Sequence, residues 1–229
     1  MDCDRIAAYY EILEHFSFGR LLEHRRFAFL GEVRTSQKAI VCGGGDGRFL
    51  ARLLQVNTRV EVDFVDLSSK MVALAERRVG GMGRTFRKRV RFHTGDLRRL
   101  VLPADSFDLI VTHYFLDCFS NQELEDVVSR LATWGTRQAR WILSDFCEAN
   151  GPIGRLWTRG VIRALYSAFR FTTGLRVTRL PEYKAALATA GYILRLEEEA
   201  LAGLLHSSLW EAESSHGGMA KSHPSQGED

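Results

Sequence analysis

The stretch that decides the fold is Ile40-Val41-Cys42-Gly43-Gly44-Gly45-Asp46-Gly47-Arg48. It ends a short apolar run, as expected of a buried parallel strand, and the helical pattern of residues 49–54 follows directly. In a doubly wound sheet this first turn is where a nucleotide-like cofactor binds. Glycine is needed there because the backbone must turn tightly and approach the ligand without a Cβ in the way.

The spacing of the glycines narrows the choice of cofactor. Gly43, Gly45 and Gly47 give the pattern G-x-G-x-G. The dinucleotide fingerprint G-x-G-x-x-G needs its third glycine one residue later, where Arg48 stands, and the phosphate loop G-x-x-x-x-G-K-[ST] is absent. The free N–H groups at the start of the following helix favour a carboxylate. The pattern therefore disfavours an NAD-dependent oxidoreductase.

The rest of the chain alternates between strands and helices. Apolar runs that predict strands are separated by helical patterns, and Ser120 and Glu123 form a capping box before one helix. This alternation predicts a parallel sheet covered on both faces. The chain closes with a predicted hairpin, so we expect an α/β sheet of seven strands whose last strand is antiparallel. The predicted strands are residues 39–42, 60–65, 90–93, 107–111, 141–144, 192–199 and 203–210.

Two acidic residues follow consecutive predicted strands. Asp66 ends the second strand, about 20 residues after the glycines, and a carboxylate at that place can accept both hydroxyls of a ribose. Asp96 follows the third strand within Gly95-Asp96-Leu97. Capping of a helix is the alternative role for each carboxylate. Three sites at three consecutive strand ends favour one binding edge over two separate caps.

In these features, residues 38–146 resemble the catalytic core of the class I S-adenosylmethionine-dependent methyltransferases. The resemblance implies a Rossmann-like, doubly wound fold, S-adenosyl-L-methionine as the cofactor, and methyl transfer as the activity. It also implies that Asp66 binds the ribose and that Asp96 takes the adenine amino group. The other positions that it assigns to the cofactor are the loop residues Gly43, Gly45, Asp46 and Gly47 and the adenine-sandwiching residues Leu67, Met71 and Leu97.

The flanks resemble more specifically the ubiquinone/menaquinone-biosynthesis-type, small-molecule branch of that family. Paired Tyr9 and Tyr10 resemble the substrate lid of that branch, and residues 180–192 resemble its closing region. We expect one methyltransferase domain over residues 1–211, with a helical lid at 1–35, a substrate-cover helix at 152–175 and a disordered tail at 212–229.

One position departs from the family pattern. The family carries an acidic residue two positions before the first glycine, where this chain has Val41. That acid helps to hold the methionine end of the cofactor. Asp46, inside the loop, is a candidate replacement that would face the methionine ammonium, and its alternative role is that of a turn former.

The acceptor side offers two candidate bases. By the family's layout His113, at the end of the fourth strand, lies near the sulfonium, where it would deprotonate a hydroxyl acceptor or hydrogen-bond the cofactor. Asp145 ends the fifth strand and is the second candidate base. The mechanism that we expect is in-line displacement, in which the enzyme places the reactants and excludes water. Oxygen, nitrogen and carbon acceptors all remain open.

Composition limits the class of partner. The net charge is +3 over 229 residues and hydrophobic residues make up 45%, which fits a folded domain rather than a dedicated nucleic-acid binder. No apolar run reaches the roughly 18 residues of a membrane span, and the N-terminus lacks a signal-peptide pattern, so we expect a cytoplasmic protein. The cysteines form no C-x-x-C pair, so no metal site is expected.

A small-molecule acceptor is the partner that we expect, with aromatic, amphipathic and anionic compounds as the open alternatives. An RNA methyltransferase would use the basic segment 84–91 or the row Arg155, Arg159 and Arg163, whose bland alternative is a solvated face. Residues 113–116 lack the Asn-Pro-Pro-Tyr of amino-methylating nucleic-acid enzymes, which disfavours that class. A non-catalytic cofactor-binding scaffold is the remaining alternative, suggested by Val41.

Overall fold

The computed structural model describes residues 19–149, 151–173 and 180–213. The strands of this part form one sheet and are β1 (Lys38–Cys42), β2 (Glu61–Asp66), β3 (Val90–Thr94), β4 (Phe107–His113), β5 (Gly135–Phe146), β6 (Tyr192–Ala200) and β7 (Leu205–Ala212). Their order is β3-β2-β1-β4-β5-β7-β6. β1 to β5 run parallel, and β7 is antiparallel to both of its neighbours. The predicted seven-stranded sheet with an antiparallel last strand is confirmed.

Helices cover both faces of the sheet. They are α1 (Gly19–Arg26), α2 (Arg48–Val56), α3 (Ser69–Met82), α4 (Arg84–Arg87), α5 (Asn121–Trp134), α6 (Pro152–Thr173) and α7 (Tyr183–Thr189). Buried side chains of α2 and α3 share one apolar cluster with Val41 and Val111 of the sheet. Those of α5 and α7 share a second cluster with Ile40 and Ile110, the alternate residues of the same strands. This alternation gives each strand two apolar faces, as a sheet covered on both sides requires.

The strand order reverses between β1 and β4. From β1 the chain builds β2 and β3 on one side, and it then returns to place β4 and β5 on the other side. Loops that leave the carboxyl ends of β1 and β4 therefore diverge and open a crevice, the usual position of a ligand site in an open α/β sheet.

The boundaries differ from the prediction by two residues or more in β4, in β5, in α7 and in β7, which is Leu205–Ala212 rather than 203–210. β4 continues to His113, and β5 begins at Gly135 rather than at Trp141, because Gly135 pairs with Phe107 and Arg140 pairs with Leu109, with a bulge at residues 136–139. α7 begins at Tyr183 rather than at Pro181. The capping box is confirmed, since the Ser120 hydroxyl accepts from the Glu123 N–H while Glu123 accepts from the Ser120 N–H.

The predicted flanking segments are described only in part. Of the lid at 1–35, residues 19–35 contain α1 and a short 3-10 turn at Leu30–Val33; Tyr9 and Tyr10 lie outside the described residues, as do all but residues 212 and 213 of the tail at 212–229. α6 begins at Pro152 as predicted for the cover helix and ends at Thr173. In the described ranges no helix has the length and apolarity needed to cross a membrane.

Gly47 and Gly80 form a matched pair for testing the packing of the loop. Gly47 has φ +79°, and a Cβ there would lie 2.7 Å from the Cβ of Ala75 in α3. Gly80 lies inside α3 with nothing within 4 Å of an added Cβ. We expect Gly47→Ala to lower the free energy of unfolding by about 1–3 kcal/mol and Gly80→Ala to raise it by about 0.5–1 kcal/mol. Urea denaturation of both variants measures this, and equal effects would contradict the close packing of the loop on α3.

Candidate cofactor and active site

The glycine loop between β1 and α2 has the backbone that its sequence predicts. Gly43, Gly45 and Gly47 adopt φ values of 62°, 59° and 79°, a region that other residues rarely enter. At Gly43 an added Cβ would also collide with the ring of Phe115. The loop therefore runs close under the residues that follow β4, and only glycine fits there.

Asp66 ties this loop to the end of β2. Its Oδ2 accepts from the Gly45 N–H at 2.9 Å, and its Oδ1 accepts from the Ser68 N–H at 2.9 Å. Burial raises the pKa of Asp66, and the backbone N–H donors oppose that rise. The side chain is buried but lines the cleft beside Gly43, so its oxygens are placed to accept further hydroxyl donors.

Asp96 lies on the same cleft at the end of β3. It accepts from the Arg98 N–H at 2.9 Å and from the Arg98 guanidinium at 2.8 Å. The hydrogen bond from the Arg98 side chain lowers the pKa of Asp96, which keeps it an ionised acceptor. Arg98 also pairs with Glu123 at 2.9 Å, so one guanidinium is shared by two carboxylates at this edge.

The structure brings five of the predicted cofactor residues together on one cleft, namely Gly43, Asp66, Leu67, Asp96 and Leu97. Met71 is buried in the first turn of α3 and is not among the residues that line this cleft. Sequence reasoning missed Tyr114, Phe115, Cys118 and Phe119, which follow β4 and line the same cleft. The spacing of Phe115 and Phe119, four residues apart directly after β4, was the available signal, and their rings pack edge to face at 5.1 Å.

Asp46 faces α3. Its carboxylate pairs with Arg48 at 2.9 Å and with Arg78 at 2.8 Å, and its carbonyl accepts from Arg78 at 3.0 Å. It also accepts from the Arg48 N–H at 3.3 Å, the contact of a turn former. These contacts occupy the carboxylate on the side of the loop that packs on α3.

His113 is buried at the end of β4, 5% exposed. The parallel register pairs Val41 with Val111 and Cys42 with Thr112, and its continuation sets His113 level with Gly43. The imidazole packs edge to face on Phe49 at 4.6 Å, and neither ring nitrogen has a hydrogen-bond partner among the described residues. Burial, and then the charge of Arg26, lowers the pKa of His113 well below its ordinary value, so the ring is neutral.

Asp145 belongs to a buried pair of carboxyl groups. It is fully buried at the end of β5, where it accepts from the N–H of Phe146 at 2.9 Å and from that of Asp117 at 3.3 Å. Burial and the negative charge of Asp117 raise the pKa of Asp145 well above its usual value, and burial raises that of Asp117 to about 6. Neither Asp145 nor His113 is among the residues lining the cleft beside Gly43.

Three arginines of the basic segment 84–91 are engaged within the fold. Arg87 pairs with Glu76 at 3.1 Å, Arg89 donates to the carbonyls that end α2, and Arg91 pairs with Asp63 at 3.2 Å. Arginines that pair with groups of their own chain are not positioned to bind the phosphates of a nucleic acid. In the row on α6, Arg159 pairs with Glu148 at 3.0 Å. In the described part of the chain, no group of His, Cys, Asp and Glu side chains is arranged to hold a metal ion.

Comparison with known proteins agrees with this fold. Residues 40–136 match the model of a family described as methyltransferase domain. Among solved structures, a putative O-methyltransferase from Nostoc punctiforme superposes with a TM-score of 0.65 at 16% identity, over 89% of this chain and 59% of that one. The mitomycin 7-O-methyltransferase MmcR gives a TM-score of 0.64 at 16% identity, over 89% and 60%.

A curated relative in sequence is polyamine aminopropyltransferase 2 of Bacillus anthracis, 25% identical over 131 residues. That match covers 54% of this chain and only 35% of the relative. Residues 40–136 thus match a methyltransferase domain, and the fold and the cleft agree with those of the class I S-adenosylmethionine-dependent methyltransferases. S-adenosyl-L-methionine is the cofactor of that domain.

The carboxyl pair gives the domain a specific pH dependence. Because the pKa of Asp117 is raised from 3.8 to about 6, the folded state binds more protons than the unfolded state between these values. The free energy of unfolding should therefore fall as the pH rises from about 4 to 6, by up to about 3 kcal/mol.

Asp117→Asn removes this titration. We expect the difference in unfolding free energy between variant and wild type to move in the variant's favour over that pH range, measured by urea denaturation at each pH. A difference that stays constant with pH would show that the folded protein holds Asp117 ionised as readily as the unfolded chain does.

Proposed function

We propose that this domain transfers a methyl group from S-adenosylmethionine to a small-molecule acceptor. The observation that carries the proposal is the pair of carboxylates, Asp66 and Asp96, which line one cleft with the first glycine of the loop. A nucleoside needs acceptors for its ribose hydroxyls and its amino group, and this cleft offers both at consecutive strand ends.

In the proposed complex each part of the cofactor is bound by different residues of the chain. Asp66 accepts from the ribose hydroxyls, and Asp96 accepts from the adenine amino group between Leu67 and Leu97. Contact of Met71 with the ring stays a prediction. The methionine end lies along the glycine loop, where Gly43, Gly45 and Gly47 carry no Cβ to hinder a close approach of the ligand to the backbone.

His113 is the residue that we assign to the methionine end. It lies level with Gly43, on the face of the sheet that also carries Val41. A buried imidazole with two unpaired nitrogens is costly, and a polar group of a ligand would remove that cost. This contact would replace the one lost with the acid at position 41, because Arg48 and Arg78 already occupy Asp46.

The acceptor side is apolar. Tyr114 and Phe146 pack at 5.6 Å beneath Leu22 of α1 and Ile162 of α6, in one buried cluster. Tyr114 holds a φ of +51°, which is strained for a bulky side chain, and residues in such conformations concentrate at functional sites. Such surroundings suit an aromatic or amphipathic compound. The MmcR structure is named for an O-methylation of mitomycin, and the quinone-type resemblance of the flanks remains a prediction in the same direction.

The protein contributes to the reaction mainly by positioning the reactants. When bound, S-adenosylmethionine supplies a sulfonium methyl group, which the acceptor's lone pair takes by in-line displacement while the carbon–sulfur bond breaks and S-adenosylhomocysteine leaves. The residues of the chain hold the reactants within about 3–3.5 Å and keep water out. A proton lost by the acceptor needs a base, and His113 and Asp145 are the two candidates. Burial keeps the His113 ring neutral but lowers its pKa and so weakens it as a base, whereas burial favours the protonated form of Asp145.

A polyamine acceptor is the second candidate, favoured by the name of the curated relative. Phenols, hydroxyquinones and polyamines therefore form the acceptor panel for turnover. Cofactor binding with no turnover on this panel would favour the non-catalytic scaffold, and salt-sensitive binding of RNA would favour an RNA substrate.

Cofactor binding through Asp66 is tested by calorimetric titration with S-adenosylmethionine. We expect micromolar binding by wild type and at least a tenfold higher Kd for Asp66→Asn, about 1.4 kcal/mol, because the amide cannot accept from both ribose hydroxyls. Asp108→Asn is the matched control, since Asp108 also accepts from two backbone N–H groups but at the amino end of β1. No binding to folded wild type, or binding of NADH instead, would overturn the proposal.

A substitution at His113 should affect the stability of the protein and its binding of the cofactor differently. Leu in its place removes two unpaired buried nitrogens, so we expect His113→Leu to keep or raise the free energy of unfolding without cofactor. The same change should weaken S-adenosylmethionine binding severalfold or more. Thermal melts with and without cofactor measure both effects, and full cofactor stabilisation of the variant would assign His113 to packing alone.

A further inference from the structure

The outer face of α6 carries an apolar patch that the fold leaves uncovered. Ile153, Leu156 and Trp157 are 84%, 77% and 45% exposed. Their spacing places them on one side of the helix, whereas Thr158 and Ile162, on the other side, are buried. Single exposed apolar residues are ordinary, but three adjacent ones on a helix mark a contact surface.

Cations border this patch. The 22 residues of Pro152–Thr173 contain no Asp or Glu. Arg155, Arg159 and Arg163 follow at intervals of four and form a stripe beside Leu156. Arg159 pairs with Glu148, but Arg155 and Arg163 are exposed and have no ion pair among the described residues. The stripe is therefore left with two positive charges to offer to an anionic surface.

We propose that this face of α6 docks onto an anionic phospholipid surface. An apolar stripe bordered by arginines fits the boundary between acyl chains and phosphate headgroups, where interfacial helices lie. Trp157 lies at the edge of the patch, and tryptophan prefers the boundary between acyl chains and headgroups. Ile153 and Leu156 enter the boundary, and Arg155 and Arg163 meet the phosphates.

Docking in this orientation has a consequence for the site beneath. The inner face of α6 places Ile162 in the apolar cluster with Tyr114 and Phe146. The lipid surface and this cluster thus contact opposite faces of one helix. An amphipathic compound held in the membrane would enter the domain next to α6. The docking itself does not depend on the proposed methyl transfer.

Tryptophan emission provides a local readout. Trp134, Trp141 and Trp210 are buried, so Trp157 is the exposed one of the chain's four tryptophans. We expect vesicles of phosphatidylcholine and phosphatidylglycerol to shift the emission of the full chain to the blue and to bind it in flotation. Vesicles of phosphatidylcholine alone should bind much less, and salt should weaken the binding. Trp157→Phe should float as wild type does but without the shift.

Two pairs of variants locate the surface. Leu156→Glu should lower the vesicle partition coefficient at least tenfold, whereas Val101→Glu, which changes an 87% exposed apolar residue away from α6, should leave it unchanged. Arg155→Gln combined with Arg163→Gln should lower it about 30-fold. Arg59→Gln combined with Arg137→Gln changes two exposed arginines near the amino ends of β2 and β5 and is the charge-matched control. All four should bind S-adenosylmethionine as wild type does, which separates this test from the one for the cofactor.

Three results would overturn the proposal. The first is failure of the wild-type chain to float with anionic vesicles. The second is flotation of Leu156→Glu equal to that of wild type. The third is a tryptophan that acrylamide cannot quench in vesicle-free buffer, since a face already covered by another segment or by a second copy of the chain is not available to lipid.

Discussion

The hydrogen bond from the Gly45 N–H to the buried Asp66 carboxylate is the contact on which the site depends. At 2.9 Å it fixes the glycine loop to the end of β2, and the other oxygen of the same carboxylate holds the Ser68 N–H at the start of α3. The Ser68 hydroxyl in turn accepts from the Met71 N–H. The carboxylate of Asp66 thus fixes the positions of the glycine loop, the end of β2 and the start of α3 relative to one another. Burial disfavours its charged form, and the N–H donors compensate in part.

Much of the fold could be predicted because it rests on local patterns. Apolar runs that stop at glycine or at an acid gave the strands of the parallel half, and the Ser120 capping box gave the start of α5. The start of β5 could not be predicted, because residues 136–139 look like a loop and form a bulge between two pairings with β4, Gly135 with Phe107 and Arg140 with Leu109. Tertiary hydrogen bonds decided that boundary, and no local propensity reports them.

The positions of the acidic residues in the candidate site could be predicted from the sequence. The ion pairs that these and neighbouring residues form could not. Strand ends located Asp66 and Asp96, since position in the chain alone brings them to one edge. The direction of Asp46 could not be predicted, because Arg78, its partner, lies 32 residues away on α3. The same limit applies to segment 84–91, which reads as a basic cluster in sequence. In the folded chain Arg89 donates to the carbonyls at the end of α2, and Arg87 and Arg91 pair with Glu76 and Asp63.

The absence of an acid at position 41 follows from what surrounds it. Val41 is 1% exposed in the cluster with Val111 and Phe49, so a carboxylate there would be buried without a partner. A buried charge without a partner costs far more than a buried neutral polar group. The chain instead carries a neutral imidazole at His113, level with Gly43 and on the same face. In the proposed complex this replaces a charge contact to the methionine end by a hydrogen bond, which keeps direction while avoiding the desolvation of a second acid close to Asp66.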